Sequence, residues 1–100
     1  MAVIVRDNPS ASRFEAELDG QPAGFAAYLR SEGLVVYPHT VVEPQFEGQG
    51  VGGALARFAL DDARARGVAV LATCPFIAGW MVRHPEYQDL AYQNQSRVSD

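Results

Sequence analysis

The sequence predicts a single α+β domain with a mixed, mainly antiparallel sheet. Two early segments alternate apolar and polar side chains with a period of two, which is typical of half-buried strands. A later segment has its apolar residues at helical spacing, which is typical of an amphipathic helix. The chain has 100 residues, 48% hydrophobic and 20% charged, as expected for one globular domain. We expect the domain to span residues 1–100, with a core from about 5 to 90.

The first half of the chain is predicted to form an antiparallel meander. A β-branched run at Met1–Val5 opens the meander. Three strands follow, at Ser12–Leu18, Pro22–Leu29 and Leu34–Val42. Asp19-Gly20 is typical of a tight hairpin turn, because both central positions of the favoured turn need positive φ. Ser31-Glu32-Gly33 is predicted to form the second turn.

The second half is predicted to contain two helices around one strand. After a loop over 43–53, the elements are an amphipathic helix at Val51–Arg66, a strand at Val68–Ala72 and a short helix at Phe76–Arg83. Gly67 is suited to an αL helix cap, and Cys74-Pro75 to a helix entry. The strand is short and apolar, so we expect it to be central and buried on both faces. The polar tail Gln93–Asp100 is expected to fray.

Charge and composition argue against several functional classes. The net charge is −4, and the eight basic residues are all arginines scattered along the chain, whereas nucleic-acid binding needs clustered cations. The sequence has neither a long apolar run nor a leader-like start, so we expect a cytoplasmic protein without membrane partners. One cysteine excludes an internal disulfide, and with two separated histidines it predicts no metal site.

Four glycines lie within six residues where the long helix begins: Gly48, Gly50, Gly52 and Gly53. Glycines there allow a ligand to approach unpaired backbone N–H groups at the positive end of the helix dipole, which favours a phosphate or pyrophosphate. The alternative is tight packing of the helix start against the sheet. A P-loop is excluded because the chain has no lysine. A dinucleotide-binding motif is disfavoured because antiparallel hairpins precede the turn.

Four motifs in this order resemble the small GNAT-like N-acetyltransferase family, over residues of about 5 to 90. The motifs are His39-Thr40-Val41-Val42, Phe46-Glu47-Gly48-Gln49-Gly50-Val51-Gly52, Ala72-Thr73-Cys74-Pro75-Phe76 and Arg83-His84-Pro85-Glu86-Tyr87. The resemblance implies a reduced GNAT fold without the N-terminal helices that usually shape the acceptor pocket. It also implies that acetyl-CoA lies in the cleft where the strand ending at Val42 splays from the strand ending at Thr73.

The resemblance also assigns the residues that would bind acetyl-CoA. Backbone groups near Val41 and Val42 would pair with the pantetheine arm. The pyrophosphate would bind the turn, which comprises Gly48, Gln49, Gly50, Val51, Gly52 and Gly53. Glu47 stands where the superfamily signature begins with Arg or Gln, and a carboxylate beside a pyrophosphate is unfavourable unless it points to solvent.

Two residues near the expected cleft are candidates for catalysis. His39 ends the third predicted strand and could accept the proton of an incoming ammonium, or could simply bond to a neighbouring strand. Cys74 precedes a helix-initiating proline, where a thiolate would be stabilised. It could protonate the leaving CoA, carry the acetyl group as a nucleophile, or be a buried structural residue. We favour direct transfer, because no carboxylate is evident to orient a Cys–His pair.

Other side chains are assigned mainly structural roles. His84 is predicted to end a helix, and Arg83 to be solvated there. Phe58, Phe76, Trp80 and Met81 are predicted to pack in the core. Tyr87 and Tyr92 could either cover the cofactor or hold the tail against the core.

The sequence therefore favours an acetyl-CoA-dependent N-acetyltransferase acting on an amine of a protein or a small molecule, as a monomer or homodimer. A second hypothesis is a non-catalytic module that binds CoA or acyl-CoA. A third is a redox-responsive interaction domain whose one exposed thiol is the working part.

Overall fold

The computed structural model describes residues 2–93, which form two sheets and two α-helices. The strands are β1 (Val3–Asn8), β2 (Arg13–Leu18), β3 (Gln21–Ala27), β4 (Leu29–Ser31), β5 (Leu34–Tyr37), β6 (Thr40–Val42) and β7 (Ala69–Ala72). The helices are α1 (Val51–Arg66) and α2 (Pro75–Arg83), with 3₁₀ turns at Pro9–Ala11, Pro44–Phe46 and Pro85–Leu90. The predicted α+β class with a mixed sheet is confirmed. The predicted tail lies, after Gln93, outside the described residues, as does Met1.

The first sheet is antiparallel, in the order β1-β2-β3-β6. The predicted hairpin forms, with φ of 52° at Asp19 and 84° at Gly20, as the favoured two-residue turn requires. Along β2, Phe14, Ala16 and Leu18 are buried while the residues between them are partly exposed. This alternation places one face of the sheet against the core.

The predicted strand Leu34–Val42 is in fact two strands with different partners. β5 pairs with β4 and, in parallel, with β7, whereas β6 leaves that sheet and pairs with β3. The break falls at Pro38-His39, where proline has no N–H to donate to a ladder. β6 and β7 therefore belong to different sheets and are not paired with each other; the space between them is called the cleft.

Helix α1 covers one face of the first sheet and supplies much of the core. Leu55, Ala59 and Ala63 are fully buried at a spacing of four residues, which keeps them on one side of the helix. The buried Tyr37 hydroxyl donates a hydrogen bond to the Ala59 carbonyl at 2.6 Å. On the opposite face of the sheet, the side chain of Val41 is 38% exposed.

Strand β7 differs from the sequence prediction, which made it central and buried on both faces. It lies at the end of the sheet β4-β5-β7, and although Val70 is buried, Leu71 is 38% exposed. Within residues 2–93, its outer edge receives a single bridge to Ala91 and the N–H of Tyr92, which donates to the Val70 carbonyl at 2.7 Å. A short apolar strand is therefore not always an interior one.

The segment after α2 is fastened to α1 through a tyrosine. Tyr87 is buried, its hydroxyl donates to Asp61 Oδ1 at 2.8 Å, and Arg57 Nη1 donates to the same hydroxyl at 3.2 Å. Of the two roles open to Tyr87, the structure supports the structural one. Tyr92 remains 46% exposed and is held through its backbone.

Candidate active site

The cleft is bordered by β6, whose backbone groups alternate between two directions. The Glu43 N–H donates to the Ala23 carbonyl at 2.8 Å, and the Ala27 N–H donates to the His39 carbonyl at 3.0 Å. In this register Val41 is paired with Phe25, so its backbone groups face β3. The intervening Val42 therefore directs its N–H and C=O away from β3 and toward the cleft.

Gly24 allows β6 to approach β3 closely enough to form this border. A Cβ at Gly24 would overlap the carbonyl oxygen of Val41. The ladder between β2 and β3 also shifts by one residue at Ala16/Glu17. A glycine beside such a bulge is typical of a close backbone approach.

Two of the four clustered glycines are required by the backbone conformation of the turn. Gly48 and Gly50 have φ of 81° and 87°, a region that other residues rarely adopt. A Cβ at either position would meet no atom of the described part of the chain within 4 Å. Packing therefore does not account for these two glycines, and the space beside them is open.

The other two glycines are required by packing between the helices. A Cβ at Gly52 would lie 3.0 Å from the ring of Phe76, and one at Gly53 would lie 2.9 Å from the ring of Trp80. Tight packing of the helix start, the alternative considered from the sequence, therefore holds for these two glycines. The element that packs against them is α2, however, and not the sheet.

Within residues 2–93, the N-terminus of α1 has backbone donors without protein partners. The first helical hydrogen bond runs from the Ala54 N–H to the Gly50 carbonyl at 3.0 Å, so the N–H groups of Val51 to Gly53 precede the ladder. No side chain among the described residues caps this end, and the first turn of the helix has no acidic residue. Glu47 is exposed, and Gln49 Nε2 donates to the Gln45 carbonyl at 3.4 Å. These features suit an anion.

Cys74 lies on the other side of the cleft, at the N-cap of α2 as predicted. It is 3% exposed, and its thiol donates to Thr40 Oγ1 at 3.5 Å. Its N–H donates to the Tyr37 carbonyl at 3.0 Å. The thiol is thus held between β6 and the start of α2. This burial contradicts the third hypothesis, a redox-responsive domain, because that hypothesis requires an exposed thiol.

His39 lies on the face of the sheet opposite α1. Its exposed ring packs edge-on against Phe25, with ring centroids 5.9 Å apart. Because side chains alternate along a strand, His39 and Thr40 point to opposite faces, and Cys74 contacts the Thr40 side. The two candidate catalytic residues therefore flank the cleft from opposite faces and do not form a contacting pair.

The remaining predicted residues are mostly structural. His84 caps α2, and its Nδ1 donates to the Trp80 carbonyl at 2.8 Å, while the two rings stack at 3.9 Å. As predicted, Arg83 is exposed, Met81 is buried, and the partly buried Phe58 and Trp80 pack against the core. Phe76 is 38% exposed, so the prediction of a core residue is wrong there. Its ring instead covers Gly52 beside the turn.

Sequence reasoning missed Thr40 and Gly24. Thr40 lies within a quoted motif, but only the pairing of strands shows that its hydroxyl meets the Cys74 thiol. Gly24 looks like an ordinary strand interruption until β6 is placed beside it. Residues 2–93 contain no group of three or more side chains arranged to hold a metal ion. In the same range, no helix is both long and apolar enough to cross a membrane.

The chain was compared with protein families and known proteins. The model of the GCN5-related N-acetyl-transferase family matches residues 13–90. A GCN5-like putative N-acetyltransferase from Staphylococcus aureus has a similar structure, with a TM-score of 0.68 and 19% identity over 96% of both chains. No match was found among curated proteins.

Two larger proteins share the fold. The ribosomal-protein-S18-alanine N-acetyltransferase of Escherichia coli has a TM-score of 0.62 and 17% identity, over 87% of this chain and 74% of that one. AAC(6')-Iy, in complex with the bisubstrate analog CoA-S-monomethyl-acetylneamine, has a TM-score of 0.51 and 21% identity, over 88% and 65%. With the family model matching most of its length, this chain belongs to the GCN5-related N-acetyl-transferase family.

Proposed function

We propose that the protein is an acetyl-CoA-dependent N-acetyltransferase that transfers the acetyl group directly to an amine. The observation that carries the proposal is the exchange of partners at Pro38-His39, which opens a cleft between β6 and β7. The glycine turn, Val42 and Cys74 all border the same end of this cleft. The contact between Gly52 and Phe76 shows that the starts of α1 and α2 lie together there.

Each border of the cleft matches one part of acetyl-CoA. The N–H groups of Val51 to Gly53, with the open turn at Gly48 to Gly50, suit the pyrophosphate. The outward N–H and C=O of Val42 suit the amide groups of the pantetheine arm. Val41, whose backbone is paired with β3, would contribute its exposed side chain at the border. Glu47 is exposed and can remain in solvent.

The separation of His39 and Cys74 favours direct transfer. A cysteine nucleophile is normally activated by a base within hydrogen-bond reach, whereas Cys74 is bonded to Thr40 and His39 packs on Phe25. In direct transfer, His39 would accept the proton of the amine on one face. The amine attacks the thioester carbon, the C–S bond breaks, and Cys74 would supply a proton to the leaving thiolate on the other face.

The two larger fold neighbours are named for, or bound to, molecules of matching chemistry. One is named for N-acetylation of an alanine, and the other holds a CoA-linked bisubstrate analog. These neighbours support the reaction class, an acyl transfer from CoA to an amine. The acceptor of this chain does not follow from theirs.

The second hypothesis, a module that binds acyl-CoA without turnover, has one observation in its favour. Helix α1 covers one face of the first sheet, and on the other face His39 and Val41 are exposed to solvent. A binding module would bind acetyl-CoA but would not release its thiol in the presence of amines.

A thiol-release assay with acetyl-CoA and a panel of protein, peptide and small-molecule amines tests the proposal. We expect release that depends on an amine and falls about a hundredfold in His39→Ala, the usual scale for loss of a general base. Calorimetry should show acetyl-CoA binding unchanged in this variant. Binding without release for any amine would favour the module, and full activity in both His39→Ala and Cys74→Ala would contradict the assigned roles.

A further inference from the structure

The side of the first sheet that faces away from α1 forms an open surface. We call it the outer face and define it by Glu15, Phe25, His39, Val41 and Glu43. These residues are all partly or fully exposed. His39 and Val41 belong to the segment that also borders the cleft. A molecule lying on the outer face therefore reaches the cleft without crossing the sheet.

The part of the outer face that lies along β2 and β3 is concave. A cavity of about 430 Å³ lies on it, with walls that include Arg13, Glu15, Glu17, Pro22, Phe25 and Glu43. The shift of register at Ala16/Glu17 bends the sheet there, as bulges do. Gly24, also in the wall, adds no side chain. The apolar floor is formed by Pro22 and Phe25.

The walls of this cavity carry three carboxylates and one guanidinium. Glu15 pairs with Arg13 at 2.8 Å, and Glu17 pairs with Arg6 at 3.0 Å. Glu43 has no ion pair within residues 2–93. Exposed pairs of this kind are weak, so an arriving cation can compete for the carboxylates. The net charge of −4 adds a general attraction for cations.

The aromatic floor also accepts a cation. The guanidinium of Arg13 lies 4.3 Å from the centroid of the Phe25 ring, a cation–π geometry. The edge of the same ring is contacted by His39. Phe25 thus contacts both the guanidinium of Arg13 and the proposed base, His39.

We propose that the outer face binds a basic peptide segment and that a primary amine of this segment is the acetyl acceptor. The proposal rests on the acetyltransferase function proposed above and names its acceptor. Two observations select the occupant: the carboxylates complement a positively charged chain, and Phe25 links the cavity to His39. An open concavity on a sheet also suits an extended segment better than a small, fully enclosed molecule.

The chemistry follows the same surface. A lysine or N-terminal amine is largely protonated at neutral pH, so Glu15 and Glu43 attract it as an ammonium. His39 removes one proton, and the freed lone pair forms the C–N bond to the acetyl carbon. The nitrogen loses its second proton as the C–S bond breaks, and the CoA thiolate takes up one proton to leave as the thiol. One proton is released overall.

The test uses peptides of equal length with one lysine flanked by arginines, serines or glutamates. We expect kcat/KM to be highest with arginines, lowest with glutamates, and to fall with added salt for the arginine peptide. Glu43→Gln should lower kcat/KM for the arginine peptide by roughly threefold to fivefold, the scale of one exposed ion pair. The matched control is Glu32→Gln, at an exposed turn between β4 and β5, and it should leave all rates unchanged.

The outcomes separate this inference from the proposed function. Three results would overturn the peptide-binding face and leave the transferase intact. They are a kcat/KM that does not depend on the flanking charges, an equal loss of kcat/KM in Glu43→Gln and Glu32→Gln, and a free polyamine that is a better substrate than the peptides. Acetyl-CoA binding without turnover would overturn the transferase. In that case ¹⁵N NMR spectra of the CoA-bound protein test peptide binding to the outer face. Chemical-shift changes at Phe25, His39 and Val41 that only the arginine peptide causes support it, and their absence overturns it.

Discussion

Trp80 lies against Gly53, close enough that a single added methyl group at Gly53 would come within 2.9 Å of the indole. The indole cannot easily withdraw, because its other neighbours are the His84 ring, stacked at 3.9 Å, and Phe76, at 6.2 Å between centroids. The only tryptophan of the chain thus reports on the start of α1.

This contact predicts opposite effects for two glycine-to-alanine changes in helices. Gly53→Ala should lower the free energy of unfolding by about 1 kcal/mol, since overpacking against Trp80 outweighs the gain in helix propensity. Gly79→Ala should raise it by up to about 1 kcal/mol, because its Cβ would meet only the mobile end of Arg83 at 3.1 Å. Urea unfolding followed by Trp80 fluorescence measures both. Stabilisation by both changes would contradict the close packing.

The Thr40–Cys74 hydrogen bond predicts that Thr40 positions the thiol. Thr40→Val keeps the shape but removes the hydroxyl that would donate to a thiolate, a bond to a charged group worth a tenfold change or more. We expect iodoacetamide alkylation of Cys74 at neutral pH to slow by about tenfold, and kcat to fall with little change in KM for acetyl-CoA. Thr40→Ser should restore both. Loss of both rates in the serine variant would indicate a packing role instead.

Asp7 predicts a pH dependence of stability. Partial burial alone would raise its pKa, but hydrogen bonds from Tyr28 at 2.6 Å and Arg30 at 3.0 Å, with the charges of Arg30 and Arg66, outweigh burial and lower the pKa. A carboxylate with a lowered pKa contributes stability above its unfolded value, near 4, and this contribution is lost as the pH falls through the folded pKa.

Asp7→Asn should therefore lower the free energy of unfolding at pH 7 by about 1 to 3 kcal/mol, with the difference from the native protein vanishing once the pH has fallen below the folded pKa of Asp7. Thermal unfolding across this pH range measures it. Asp89→Asn is the matched control, because its partner Arg64 is solvent-exposed, and it should have a smaller effect. A constant difference at all pH values would show that the charge of Asp7 contributes nothing.

Patterns local in the sequence predicted the elements well. Four predicted features appear in the structure: the turn at Asp19-Gly20, the helix over Val51–Arg66, the end of this helix at Gly67 and the start of the second helix at Cys74-Pro75. Each is determined by the conformational preferences of a few adjacent residues. The positions of Gly48 and Gly50 at positive φ likewise follow from the choice of glycine.

Features that depend on distant partners were not predictable in this way. The division of Leu34–Val42 depends on β7 pairing with one half and β3 with the other. The roles of Gly52 and Gly53 depend on Phe76 and Trp80, which lie more than twenty positions later. The separation of His39 from Cys74 follows from strand alternation about Thr40, which becomes meaningful only once α2 is placed on one face.

We propose that the open glycine turn binds the pyrophosphate of CoA, and calorimetry with acetyl-CoA tests this on a matched pair of variants. Gly48 and Gly20 have nearly equal φ, 81° and 84°, and a Cβ at either would meet no atom within 4 Å, so alanine strains both backbones alike. We predict that Gly20→Ala binds acetyl-CoA as the native protein does and that Gly48→Ala binds it about tenfold more weakly, the scale of one lost charge-assisted hydrogen bond. Equal affinities in the two variants, or no heat of binding to the native protein at millimolar acetyl-CoA, would contradict it.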